Sequence, residues 1–179
     1  RARLIAVEPP PVSSGLRLNT GRYRDQWHTM TRTGLSPRLS AHRREPLLEV
    51  SPGDAARTGL VDGGLGQVTT PAGTAVFRVA VTDGQADGAA FVPMHWTDAM
   101  ASSGRTGALV VSATDPHSGQ PGFKNVAAAL APVANDWRAF VLSREPFTAV
   151  APYWVRSRVA GGWLTEVEGI GDADLAAAL

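Results

Sequence analysis

What this chain can fold into is limited first by how often it is interrupted. Its 179 residues contain 19 glycines and 13 prolines, spread along the whole length. Such punctuation disfavours long helices and favours short strands joined by turns. The clearest strand signal lies between two such breaks. From Thr74 to Thr82 the residues alternate, with Phe77, Val79 and Val81 on one face and Val76, Arg78 and Ala80 on the other. That is the two-residue period of a pleated strand. Gly66–Thr70 supplies its hairpin partner across a turn at Ala72-Gly73.

Further short elements follow the same logic. Leu4–Val7, Leu16–Asn19, Pro46–Val50, Ala89–Pro93, Arg138–Leu142 and Trp163–Val167 read as strands. Ala108–Ser112 reads as a strand or a short helix, and Pro9-Pro10-Pro11 as a stiff linker. Ser51 is an N-cap, Pro52 a first helical residue and Asp54 a first-turn acid, so a helix starts there and stops at Gly59. Arg38–Arg44 predicts one helical turn, Tyr153–Val159 a helix and Asp172–Leu179 a weak helix. Five or more short strands with helices tucked against them predict a small closed β-barrel. The Ala- and Pro-rich stretch Ala127–Ala134 reads as a boundary. The expected domains are therefore residues 1–131 and an incomplete C-terminal extension, 132–179, which leans on the first or on further parts of a longer parent.

One stretch, Leu18–Arg32, concentrates groups that hold anions and flat heterocycles. Thr20 and Gly21 are small and let a ligand approach the backbone. Arg22 and Arg24 carry planar forks suited to phosphate or guanine edges. Trp27 and His28 offer a stacking face and an imidazole. Seven arginines lie between Arg17 and Arg44 against one acid, Asp25, a local excess in a chain of net charge +1. An anionic partner suits that excess. His95 lies directly after a strand end, and Lys124 closes the polar loop Asp115–Lys124.

Composition removes several classes. With no cysteine, the chain offers no disulfide, no thiolate for a metal and no iron–sulfur ligand. No run of 18 apolar residues occurs, so no segment reads as a membrane-spanning helix. A start without Met and without a signal-peptide core suggests a piece of a longer protein. A basic β-barrel that grips nucleic acid through Arg17–Arg44 is an alternative. Turns interrupt those arginines, however, and no series of aromatic platforms accompanies them, which argues for no nucleic acid partner.

The stretch Thr20-Gly21-Arg22-Tyr23-Arg24-Asp25-Gln26-Trp27-His28-Thr29-Met30-Thr31-Arg32-Thr33-Gly34 resembles the signature of assimilatory nitrate reductases, within the molybdopterin oxidoreductase superfamily. Three further stretches agree in order and spacing: Ser51–Ala56, Phe91–Asp98 and Asp115–Lys124. The resemblance is strong over residues 16–131, and the segment from Trp137 onward resembles the extension that follows.

The resemblance implies a C-terminal molybdopterin-guanine-dinucleotide-binding domain. Its fold would be a double-psi β-barrel, mainly β with short helices, with a small α+β extension. The implied cofactor is bis(molybdopterin guanine dinucleotide) molybdenum. A 4Fe-4S cluster, the molybdenum ligand and the N-terminal catalytic domains would lie elsewhere in a cytoplasmic holoenzyme that an electron donor protein or domain serves. The implied reaction is reduction of nitrate to nitrite, with nothing catalytic in this fragment alone. A formate dehydrogenase-like or periplasmic-type molybdenum oxidoreductase is the neighbouring reading, and the Gln26–Met30 run favours the assimilatory type. The implied cofactor-binding residues are Thr20, Gly21, Arg22, Asp25, Gln26, Trp27, His28, Thr29, His95, Gln120 and Lys124. The chain departs from the family pattern at Gly107, where an Asn is usual and a side-chain amide is missing.

Overall fold

The structure is a computed structural model that describes residues 4–6, 15–147 and 149–171. Six strands close a barrel: β1 (Leu16–Gly21), β2 (Leu47–Val50), β3 (Leu65–Thr70), β4 (Gly73–Val81), β5 (Ala89–Pro93) and β6 (Val126–Val133). Their order around the barrel is β1-β5-β2-β4-β3-β6. β1 runs parallel to β5 and β2 parallel to β4, while the other pairs are antiparallel. This is the mainly β barrel with short helices that the sequence leads one to expect.

The barrel closes because alternate residues of each strand turn inward. Leu18, Leu48, Val50, Val68, Phe77, Val79 and Val92 are all buried in one core. The β3–β4 hairpin turns at Pro71-Ala72, with Thr70 opposite Gly73. Helix α2 (Pro52–Thr58) begins as the sequence indicates: Ser51 Oγ accepts the Asp54 backbone N–H at 3.0 Å, and Gly59 ends the helix. The expected turn near Arg38 is helix α1 (Pro37–Ser40), which stops before Arg43.

Four expectations are corrected. Leu4–Ala6 is irregular and exposed, not a strand. The Ala127–Ala134 stretch is not a boundary but most of β6, which closes the barrel against both β1 and β3. Ala108–Ser112 is neither a strand nor an α-helix: a 3-10 turn, Thr106–Leu109, leads into irregular chain. Tyr153–Val159 is a strand, not a helix. Tyr153, Val155, Ser157 and Val159 alternate with Trp154, Arg156 and Arg158, the two-residue period of a strand that the helix expectation overlooked, and the segment pairs along its whole length with a neighbouring strand. The expected helix Asp172–Leu179, residues 9–11 and Val7 lie outside the described residues.

The extension forms a three-stranded antiparallel sheet of β7 (Trp137–Ser143), β8 (Tyr153–Val159) and β9 (Gly162–Gly169), in the order β7-β9-β8. It covers the outer face of the barrel, where Arg78 points. Arg78 is 5% exposed. Its guanidinium meets Glu45 (Nε to Oε2, 3.2 Å), Glu166 (Nη2 to Oε1, 2.5 Å) and Glu168, and donates to the Gly63 carbonyl at 2.9 Å. Arg138 also reaches Glu166 (2.5 Å) and Glu168 (3.3 Å). Tyr153 Oη donates to Glu45 at 2.8 Å, and Asn135 Nδ2 to Glu168 at 2.7 Å. A second apolar core fills the same seam, where Tyr153, Val155 and Trp163 of the sheet pack with Met30, Leu65, Trp96, Met100 and Ala101.

Three carboxylates thus share two guanidinium groups. Burial, and then the charge of Glu45, push the Glu166 carboxyl up to about 7. The folded chain holds that proton more tightly than an unfolded one. The stability this group contributes is full below about 4.5 and is lost as pH rises through about 7. Glu166→Gln is therefore expected to match the parent near pH 5 and to melt at a higher temperature near pH 8 (both approximate), checked by thermal denaturation at the two pH values. Arg78→Ala strands the carboxylates and is expected to cost about 3–5 kcal/mol, measured by chemical denaturation.

Candidate functional site

The site forms where the parallel strands β1 and β5 end side by side. The Met94 backbone N–H donates to the Gly21 carbonyl at 2.6 Å, which joins the loop after β1 to the loop after β5. Thr20 is buried, and its Oγ1 donates to the Phe123 carbonyl at 2.7 Å. That bond draws the Asp115–Lys124 loop over the same end. Gly21 is needed there. A Cβ on it would fall 2.8 Å from the Phe91 ring and 3.8 Å from Lys124 Nζ.

Beyond Gly21 the loop lays out its charged and aromatic groups. The Arg22 guanidinium lies 3.5 Å above the Trp27 ring centre. Trp27 is 41% exposed, and its indole N–H donates to the Arg24 carbonyl at 2.9 Å, which holds the ring upright as a platform. His28 follows, its ring 6.0 Å from that of Trp27. Asp25 turns away from these cations. It pairs with Arg24 at 3.0 Å and with His42, which hold its carboxyl below the usual range. Gln26 is buried at 1% exposure; its Oε1 accepts from Thr33 Oγ1 at 2.9 Å. Its Nε2 has no partner among the described residues.

The backbone then makes an unusual turn. His28, Thr29 and Met30 have φ of 45°, 56° and 58°, and His95 has φ of 88°. For non-glycine residues the left-handed region costs about 1–3 kcal/mol each, so surrounding contacts must hold them. Met30 is buried in the second core. It packs on Gly34, where a Cβ would lie 2.5 Å from Met100 Cε and 3.1 Å from Met30 Cβ. The Thr29 backbone N–H donates to His95 Nδ1 at 3.4 Å.

An open cleft of about 510 Å³ lies beside this turn. Thr29, Met94, His95 and Trp96 line it on the strand-end side, and Arg105, Thr106 and Gly107 line it from the 3-10 turn. Thr106 Oγ1 donates to the Pro93 carbonyl at 2.5 Å, which pins that turn to β5. Burial, and then the charges of His28 and Arg22, lower the His95 pKa.

Thr20, Gly21, Arg22, Trp27, His28 and Thr29 thus meet His95 and Lys124, from distant parts of the sequence, at one strand end. Gln26 lies beneath them and Asp25 beside them. Gln120 sits on the exposed Asp115–Gln120 turn ahead of Lys124, where its carbonyl accepts from the Asp115 N–H. Sequence reasoning missed Arg105, an exposed cation at the cleft that pairs with Asp98 at 2.9 Å. No local pattern marked it. Gly107 belongs to the same wall, and a Cβ there would meet nothing within 4 Å.

Comparison with known proteins gives the family. Residues 16–127 match the family described as molydopterin dinucleotide binding domain. A nitrate reductase from Klebsiella oxytoca is 45% identical over 168 residues, 90% of this chain and 19% of that protein. The assimilatory nitrate reductase catalytic subunit of Bacillus subtilis is 31% identical, over 72% of this chain and 18% of that protein. A periplasmic nitrate reductase from Desulfovibrio desulfuricans is 32% identical, over 69% of this chain and 16% of that protein. The chain spans about a fifth of the length of these curated relatives. Among solved structures, acetylene hydratase from Pelobacter acetylenicus superposes with a TM-score of 0.56 at 17% identity, covering 65% of this chain and 18% of that chain, a likeness of fold alone. A barrel whose strand end gathers anion-holding groups, matched from β1 into β6, belongs to the molydopterin dinucleotide binding domain family.

Proposed function

We propose that this chain is the cofactor-gripping domain of a molybdenum nitrate reductase of the assimilatory type. The observation that carries the reading is the crowding of Arg22, His28, His95 and Lys124 at one strand end, while Asp25, the one acid of the loop, is turned to Arg24 and His42. Such a site suits a large anion with flat heterocycles. The relatives' names support nitrate as the substrate of the parent protein. The assimilatory type rests on the Gln26–Met30 run, because assimilatory and periplasmic relatives match at similar identity, 31% and 32%. The same reading includes a cytoplasmic parent, N-terminal catalytic domains, a 4Fe-4S cluster and an electron donor outside this chain.

The residues present fit bis(molybdopterin guanine dinucleotide) molybdenum. Gly21 leaves a cradle that any Cβ would narrow against Phe91 and Lys124. Gln26 Nε2 is a buried donor with no partner among the described residues. Arg22, stacked on Trp27, keeps its fork for paired donation to guanine or pyrophosphate. Lys124 adds a point charge beside Gly21. Trp27 and His28 flank a heterocycle, and His95 and Thr29 border the cleft on the pterin side. Thr20 ties the closing loop across, and Asp25 fixes Arg24. Gln120, on the turn that leads to Lys124, is assigned to the pterin side with it. When bound, the cofactor supplies the two-electron transfer of an oxygen atom from nitrate. This chain's part is to bind and orient.

In the parent enzyme, Arg22→Ala is expected to weaken cofactor binding by about ten- to a hundredfold, the loss of one charge-assisted contact. Thermal stability should stay near that of the unaltered protein, because Arg22 is exposed. Arg22→Lys keeps the charge without the fork and should not rescue. Molybdenum per protein and melting temperature measure both effects. Normal molybdenum content in Arg22→Ala removes Arg22 from the site.

A further inference from the structure

The left-handed turn at His28–Met30 is held at Met30 by packing on Gly34 and within the second core. Its middle is held differently. The backbone N–H of Thr29, the central residue, points at the ring of His95 and donates to Nδ1 at 3.4 Å. His95 comes from the loop after β5, 66 residues further along, and is itself left-handed at φ 88°. Two strained segments from neighbouring strand ends therefore meet through one side-chain acceptor.

That bond sets the state of the imidazole. A ring nitrogen that accepts a backbone N–H carries no proton, so His95 is neutral and its remaining N–H is on Nε2. A protonated His95 carries hydrogens on both nitrogens, and Nδ1 can no longer accept. The charged groups around it favour the neutral form. Arg22 and His28 lie on the loop after β1, and both disfavour a further positive charge. Arg105 lines the same cleft, with its guanidinium paired to Asp98. Partial burial acts in the same direction.

We propose that His95 is the positioning residue of the dinucleotide loop: its neutral Nδ1 latches Thr29, keeps the His28–Met30 turn left-handed, and releases the turn when the ring is protonated. The proposal rests on the cofactor reading only for its consequence, that the latched turn is the form that grips. The latch itself is a property of the apo chain. Because the folded state prefers the neutral ring, the latch is full above the ordinary histidine range and is lost as pH falls through the lowered value of His95.

The test uses the 179-residue chain and two variants. His95→Asn places an amide oxygen near the Nδ1 position, tolerates positive φ and does not titrate. His95→Leu has no acceptor. The readout is the hydrogen-exchange protection of the Thr29 amide between about pH 8 and about pH 5. In the unaltered chain, protection is expected to fall by about fivefold toward acid, the worth of one modest hydrogen bond. His95→Asn should keep its protection across the range, and His95→Leu should lack it throughout. Unchanged protection of the Val68 and Phe77 amides shows that the barrel is intact. If His95→Leu does not fold, the pH dependence of the unaltered chain and its absence in His95→Asn still decide the matter. Equal Thr29 protection in all forms, or the same pH dependence in His95→Asn, overturns the latch. Molybdenum content of the parent enzyme separates the two readings. Retention in His95→Asn with loss in His95→Leu supports both. A latch that behaves as stated, with molybdenum content unaffected in His95→Leu, keeps the latch and removes the consequence that the latched turn is the form that grips, while molybdenum content in Arg22→Ala tests the cofactor reading itself.

Discussion

A guanidinium on the outside of a barrel strand organises the seam between the two parts of this molecule. Arg78 alternates with Phe77 and Val79, so the pleat that buries those two inside the barrel turns Arg78 outward. There it is covered, not solvated, and a buried cation needs partners. β9 supplies two of them, Glu166 and Glu168, and Glu45 before β2 supplies the third. Because these partners come from separate segments, satisfying one charge also fixes how the three-stranded sheet sits on the barrel.

The position of that sheet matters to the site. Tyr153, Val155 and Trp163 share a core with Met30, Trp96 and Met100, which anchor the loops after β1 and β5. Backbone bonds from Ser102 to Trp154 and from Arg156 to Met100, each 2.9 Å, join the loop that carries Met100 to β8. The extension therefore backs the loops after β1 and β5 from behind, even though it brings none of the groups proposed to hold the cofactor.

Strain is concentrated at the same place. Three consecutive non-glycine residues in the left-handed region are unfavourable in isolation. They persist here because Met30 is buried, Gly34 lets it pack closely, and His95 accepts from Thr29. A turn fixed in this way is ordered before any ligand arrives, and an ordered loop loses less freedom on binding. The electrostatics are arranged to the same end. Arg24 and His42 engage Asp25, so the cations above the Trp27 platform are not neutralised from within the loop.

Features that depend on neighbours in the chain are legible before the fold is known. Dense Gly and Pro dictated short strands, Ser51-Pro52 and Gly59 delimited α2, and the crowded types between Thr20 and Thr29 marked the loop proposed to grip the cofactor. Each of these follows from local backbone preference or side-chain chemistry. Which faces are covered, and which distant residues meet, follows only once the chain is folded. Alternation placed Arg78 opposite Phe77 but gave no sign that a second sheet would bury it. The seven residues Tyr153–Val159 do alternate with a period of two, but which of their faces is buried was decided by pairing with β9 and packing on the barrel. The meeting of Thr29 with His95, of Gly21 with Lys124, and of Arg105 with the cleft likewise depends on strand order around a closed barrel. Strand order is set by pairing between residues dozens of positions apart, and no local pattern encodes it.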